Sequence, residues 1–128
     1  MAEILGITSS IIAVLELTKK CITYLKDVAD GPDQLQQILN EMLLFKGILL
    51  QLADAEMNPA IEDLLKVSLA DFTNRLTIFI SKLEPAGGKV SFRKTIIWPF
   101  KKAECKELLE SVERYKTCFL VALQDDHL

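Results

Sequence analysis

The side chains in this sequence that could do chemistry are three cysteines, one histidine and a run of glutamates in the last quarter. Cys21, Cys105 and Cys118 stand far apart with no Cys-x-x-Cys spacing, so neither a metal knuckle nor a dithiol redox centre can be drawn from them. They fit free thiols in a reducing compartment. His127, the single histidine, falls in the C-terminal tail, where no Ser–His–Asp or Cys–His pairing can be built inside a folded core. Glu104, Glu107, Glu110 and Glu113 recur at spacing three without the Glu-x-x-His pattern of a four-helix di-iron site. Interleaved with Lys106, Arg114 and Lys116, they read as one slowly drifting, solvated helix face laced with ion pairs. Gly87-Gly88-Lys89 matches only the tail of a phosphate loop, without the upstream Gly, the following Ser/Thr or a preceding strand. The expectation is a protein that is not an enzyme, with no cofactor and no metal.

The elements that carry these residues show helical period throughout. In the first segment Ile4, Ile7, Ile11, Val14, Cys21, Leu25 and Val28 alternate spacings of three and four, interrupted only by Thr18. Asp30-Gly31-Pro32 stops it: Gly supplies the C-terminal turn and Pro opens the next helix at its first position. A second helix follows from about Pro32 to Ala55, with a stripe of Leu35, Ile38, Met42, Phe45, Leu49 and Leu52 widened by Leu39, Leu43 and Leu50. Asn58-Pro59 starts a third as cap and first turn, with Leu65, Leu69, Phe72, Leu76, Phe79 and Leu83 inward, and Pro85 to Gly88 ends it. The last runs from about Lys101 to Gln124, with Leu108, Val112, Tyr115, Phe119 and Ala122 inward. No stretch alternates with period two. The pattern predicts an all-α, up-down four-helix bundle, with room for a short fifth helix in the 90–98 connection before the break at Trp98-Pro99.

A length of 128 residues is that of one domain, 1–128, able to bury a core without staples. Half the residues are hydrophobic, and the mean hydropathy is +0.24. The formal charge of −3 argues against a nucleic-acid partner. Met1-Ala2-Glu3 carries an acid where a secretory signal has Lys or Arg, so a cytoplasmic location is expected. The longest charge-free apolar stretch, Ile4 to Leu15, is twelve residues. As a helix it spans about 18 Å, against about 30 Å of hydrocarbon, so no constitutive transmembrane helix is expected.

Two segments exceed what a bundle needs. Ile4, Leu5, Ile7, Ile11, Ile12, Ala13, Val14, Leu15 and Leu17 make the start of the first helix apolar almost all round, and Ala2, Gly6 and Ser10 form a small-residue ridge. Two readings fit: a central core helix contacted from several sides, or a helix that can leave the bundle for a membrane or for copies of itself. The stretch from Lys89 to Lys102 holds Lys89, Arg93, Lys94, Lys101 and Lys102, with Trp98 and other aromatics among them and no acid. It suits either an anionic membrane surface or an inter-helix plug at the open end of the bundle.

The opening MAEILGITSSIIAVLELTKKCITYLKDVAD, with its run from Tyr24 to Val28, resembles the N-terminus of the HeLo-like domains of fungal STAND (NLR-type) proteins. Residues 98–124 resemble that family's Trp-Pro-Phe and following helix, through Trp98, Pro99, Phe100, Glu113, Arg114, Lys116, Ala122 and Leu123. The middle helices match only in character. The family is similar to the HeLo domain of the fungal HET-S incompatibility protein and to the four-helix bundle of the mixed-lineage-kinase-like pseudokinase. The resemblance implies an effector domain of innate immunity or heterokaryon incompatibility, ahead of an NTPase or repeat region in the same chain. By that reading it forms homo-oligomers on activation, is recruited to the plasma membrane through its N-terminal helix, and causes cell death. A non-lytic adaptor that binds partner helices is the alternative.

Overall fold

The computed structural model describes residues 2–28, 32–55, 59–83 and 99–125, and within them the side chains from Ile7 to Gln124. Four helices result: α1 (Ala2–Lys26), α2 (Asp33–Asp54), α3 (Pro59–Leu83) and α4 (Lys102–Asp125). No strand occurs among the described residues. The expected boundaries of α2 and α4 hold to within one residue. The last turn of α1 tightens, with the Asp27 and Val28 amides donating to the carbonyls of Tyr24 and Leu25 at 3.0 and 3.3 Å. Pro32 sits one position earlier than expected. It is the extended residue just before α2 (φ −75°, ψ 177°), and its carbonyl accepts the Leu35 amide at 3.0 Å. The capping role of Asn58, the turns at Gly31 and Pro85–Gly88, and the short helix at 90–98 lie outside the described residues.

The helices pack as a four-helix bundle in which α1 touches α2 and α3, and α4 touches the same two. α1 and α4 therefore face each other across one diagonal, α2 and α3 across the other. Contacts along the chain set the directions. Lys82–Glu104, Asp71–Tyr115 and Ser68–Cys118 run in opposite order on α3 and α4, so these two are antiparallel. Glu41–Lys116 and Phe45–Phe119 run in the same order on α2 and α4, so that pair is parallel. Six residues (27–32) separate α1 from its neighbour α2, a connection short enough that the two pack antiparallel. The up-down alternation holds, but α2 and α3, consecutive in the chain, are diagonal partners and not neighbours.

The inward stripes read from the sequence form one core. At its centre Phe45 stacks on Phe72 with centroids 4.7 Å apart. Phe119 meets Phe45 edge-on at 5.5 Å, and Tyr115 tilts against Phe72 at 5.2 Å. Facing this aromatic centre, α1 contributes Ile7, Ile11, Val14, Cys21 and Leu25, all buried and none aromatic. Thr18, the interruption in the first stripe, is fully buried because its hydroxyl donates to the Val14 carbonyl at 2.9 Å. Of the three residues expected to widen the α2 stripe, Leu39 is half-buried while Leu43 and Leu50 are 44% and 47% exposed. Two helical neighbours leave the outer side of each helix to solvent, and extra leucines beyond the stripe fall there.

Candidate functional site

The residues expected to form a membrane or oligomerisation helix are Ile4, Leu5, Gly6, Ile7, Ser10, Ile11, Ile12, Val14 and Leu15. The structure divides them. Ile4, Leu5 and Gly6 belong to α1, but their side chains lie outside the described residues. Ile7, Ile11, Val14 and Leu15 are in the core, none more than 6% exposed. Ile12 is 47% exposed, and Ser9, Ser10, Ala13 and Glu16 share the outside with it. The helix is thus less uniformly apolar than its composition implies: one broad face is core, and the opposite face is mixed. Ser10 is exposed. Burying each large aliphatic side chain stabilises by about 1.5–3 kcal/mol, so the α1 face as a whole contributes on the order of 10 kcal/mol. That is comparable with the entire stability of a typical domain.

Of the expected anionic-lipid contacts, Lys89, Arg93, Lys94 and Trp98 lie outside the described residues, as does His127. Lys101 and Lys102 are exposed at the start of α4. Phe100, the last aromatic of the segment, stacks flat on Phe79 with centroids 4.3 Å apart and carries Lys82 Nζ 5.8 Å above its ring. This aromatic is packed against α3; residues 89–98 of the segment lie outside the described residues.

The first turn of α4 is held by a contact that sequence reading missed. Glu104 Oε1 accepts the Lys101 amide at 2.8 Å and its other oxygen takes Lys82 Nζ at 3.1 Å. This is half of a capping box, with Lys101 where Ser or Thr would complete it, so only the Glu three residues on could have signalled it. The Lys101 amide first, then Lys82, holds the Glu104 carboxyl below its ordinary value of 4.5. A lowered folded-state value means stability present above the unfolded value and lost as pH falls through the folded one. We expect Glu104→Gln to melt below the wild type at neutral pH, with the gap closing once pH is taken below 4.5; a gap constant down to acid pH would remove Glu104 from this role.

The glutamate series drifts from one neighbour to the other, as spacing three on a helix requires. Glu104 meets α3 through Lys82, while Glu113 Oε2 shares Lys116 Nζ with Glu41 of α2, each at 2.9 Å. Both carboxylates hold the Lys116 ammonium above its ordinary value. Tyr115 donates to the Asp71 carboxylate, and burial followed by that contact raises the phenol.

Cys21 is fully buried, and burial pushes its thiol up to about 12, which leaves no nucleophile there at neutral pH. Cys105 is buried, and Cys118 lies beside Ser68 at 3.1 Å. No group of three or more metal-ligating side chains converges among the described residues. A small apolar groove of about 170 Å³ opens between α3 and α4, lined by Ile61, Leu64, Cys118 and Val121. None of the described helices is long and apolar enough to cross a membrane. No protein-family model, curated protein or solved structure matches this chain.

Proposed function

We propose that this bundle is a non-enzymatic effector domain that stores an apolar helix, α1, for delivery to an anionic membrane or to other copies of itself. The observation that carries the reading is the division of the core. The aromatic centre of Phe45, Phe72, Tyr115 and Phe119 belongs to α2, α3 and α4 alone, and α1 adds an aliphatic face from a helix whose backbone neighbours are α2 and α3, not α4. Three helices thus retain a packed centre when the fourth departs. In water, departure forfeits on the order of 10 kcal/mol of burial, so release requires an acceptor of similar polarity. A bilayer or a ring of α1 helices supplies one. The exposed Lys101 and Lys102 add attraction to anionic lipid, about 1 kcal/mol per charge near the surface. In a cell, such a domain moves from the cytoplasm to the plasma membrane on activation and causes death by permeabilisation, as the HeLo-like resemblance implies. An NTPase or repeat region in the same chain is the expected control.

The test is dye release from phosphatidylserine-containing liposomes, comparing the full chain with a version that begins at Thr18. Release that disappears on truncation while the remainder stays helical supports the effector reading. A folded full chain that neither binds nor opens the vesicles would overturn it. The α3–α4 groove favours a second reading, a non-lytic adaptor that seats an apolar side chain of a partner helix between Leu64 and Val121. Partner capture without vesicle binding, abolished by Leu64→Asp, distinguishes it.

A further inference from the structure

The outer face of α4 carries a charge pattern that the bundle itself does not use. Lys102, Lys106, Glu110 and Glu113 follow at spacings of four, four and three, which places them along one stripe. All four are exposed, and they line a shallow groove of about 630 Å³ between α4 and the start of α2. Lys102, Lys106 and Glu110 make no ion pair among the described residues, and Glu113 gives only its Oε2 to Lys116. The order is also unhelpful to the helix: a lysine in the first turn opposes the helix dipole, and Lys four residues before Glu is the weaker of the two pairings. Positive charge at one end of a stripe and negative at the other has one simple complement, the same stripe reversed.

We propose that this face pairs with a second copy of the chain, α4 against α4, antiparallel about a two-fold axis at the level of Leu108. In that register Lys106 lies opposite Glu110 of the other copy and Lys102 within one residue, about 1.5 Å of rise, of Glu113, and the symmetry makes each pair twice. Half-buried Leu109 supplies apolar contact near the axis and exposed Ala103 farther along the helix, and Gln34 and Gln37 on α2 form a polar border. One helix face and its border bury less surface than a permanent dimer needs, so the association is weak, electrostatic and sensitive to salt. It goes beyond the effector reading, since α4 lies diagonally opposite α1 and the pairing joins closed bundles.

Sedimentation velocity of the full chain at low and high salt tests it with two charge reversals. Lys102→Glu/Lys106→Glu makes the stripe wholly acidic and Glu110→Lys/Glu113→Lys wholly basic. Each alone is expected to self-associate at least about tenfold more weakly than the wild type, and an equimolar mixture to recover the association. The single exchanges Lys106→Glu and Glu110→Lys repeat the test without touching the Glu113–Lys116 contact. A wild type that stays monomeric at low salt up to about 1 mM overturns the proposal. So do reversed variants that associate as the wild type does, or a mixture of folded variants that fails to pair.

Discussion

Phe72→Ala is expected to lower the stability of the bundle by about 3–5 kcal/mol, the loss usual for a large aromatic cut from a core. Phe72 is 1% exposed and meets three rings, those of Phe45, Tyr115 and Phe119, with centroids 4.7, 5.2 and 6.1 Å away. The vacated space is bounded by those same rings, so it closes only if Phe45, Tyr115 and Phe119 all leave their present seats. For a chain of this length the loss corresponds to a fall in Tm on the order of 10–20 °C, read by circular dichroism. Ile78 on the same helix, 51% exposed, is the control: Ile78→Ala should stay within about 0.5 kcal/mol of the wild type. A Phe72→Ala protein that melts with the control would mean the aromatic centre is not what holds α2, α3 and α4 together.

A second large effect separates two adjacent residues. Ile11 is 1% exposed and Ile12 is 47% exposed. Ile11→Glu places a carboxylate among Val14, Thr18 and the facing core with no cation to meet it, at a cost of several kcal/mol, and the bundle should unfold or melt far below the wild type. Ile12→Glu leaves the carboxylate in water and should melt within about 1 kcal/mol of the wild type. The contrast matters for function, because glutamate at Ile7 or Ile11 would abolish membrane activity whether or not α1 inserts. Ile12→Glu is the informative change. A folded Ile12→Glu protein that no longer releases dye supports insertion of α1; undiminished release would show that this face of the helix does not enter lipid.

The existence and inward faces of the helices were legible because each stripe repeats at three and four over 15 to 25 residues, and a wrong face would expose five to seven core side chains at once. Ile22 and Ile80 extend that core beyond the stripes read from period alone, since each sits on a flank that a neighbouring helix covers. What local pattern does not carry is which helices are neighbours. The short link at 55–58 would serve an adjacent pair or a diagonal one, and only packing across the core decides for the diagonal. The same holds for Leu43, Leu50, Leu64 and Val67, whose residue types fit a core but whose places face outward. Phe100 was legible as an aromatic beside bases but not as the ring that stacks on Phe79, because that contact joins residues far apart in the chain. The α1 site was legible in composition, while its division into a buried face and a mixed one required the positions of α2 and α3.

The diagonal placement of α1 and α4 has a consequence for allosteric coupling. Their backbones approach α2 and α3 but not each other, so α2 and α3 offer packed routes by which a ligand or copy on the outer face of α4 would influence α1. Those two relays are not independent, since their central rings, Phe45 and Phe72, lie stacked on each other and both touch Phe119 of α4. A shift of Phe119 thus perturbs both supports of α1 together. By thermodynamic reciprocity, whatever pairing at α4 would do to a release of α1, a release of α1 would do to that pairing by the same free energy, and the three phenyl rings are the packed route on which to test it.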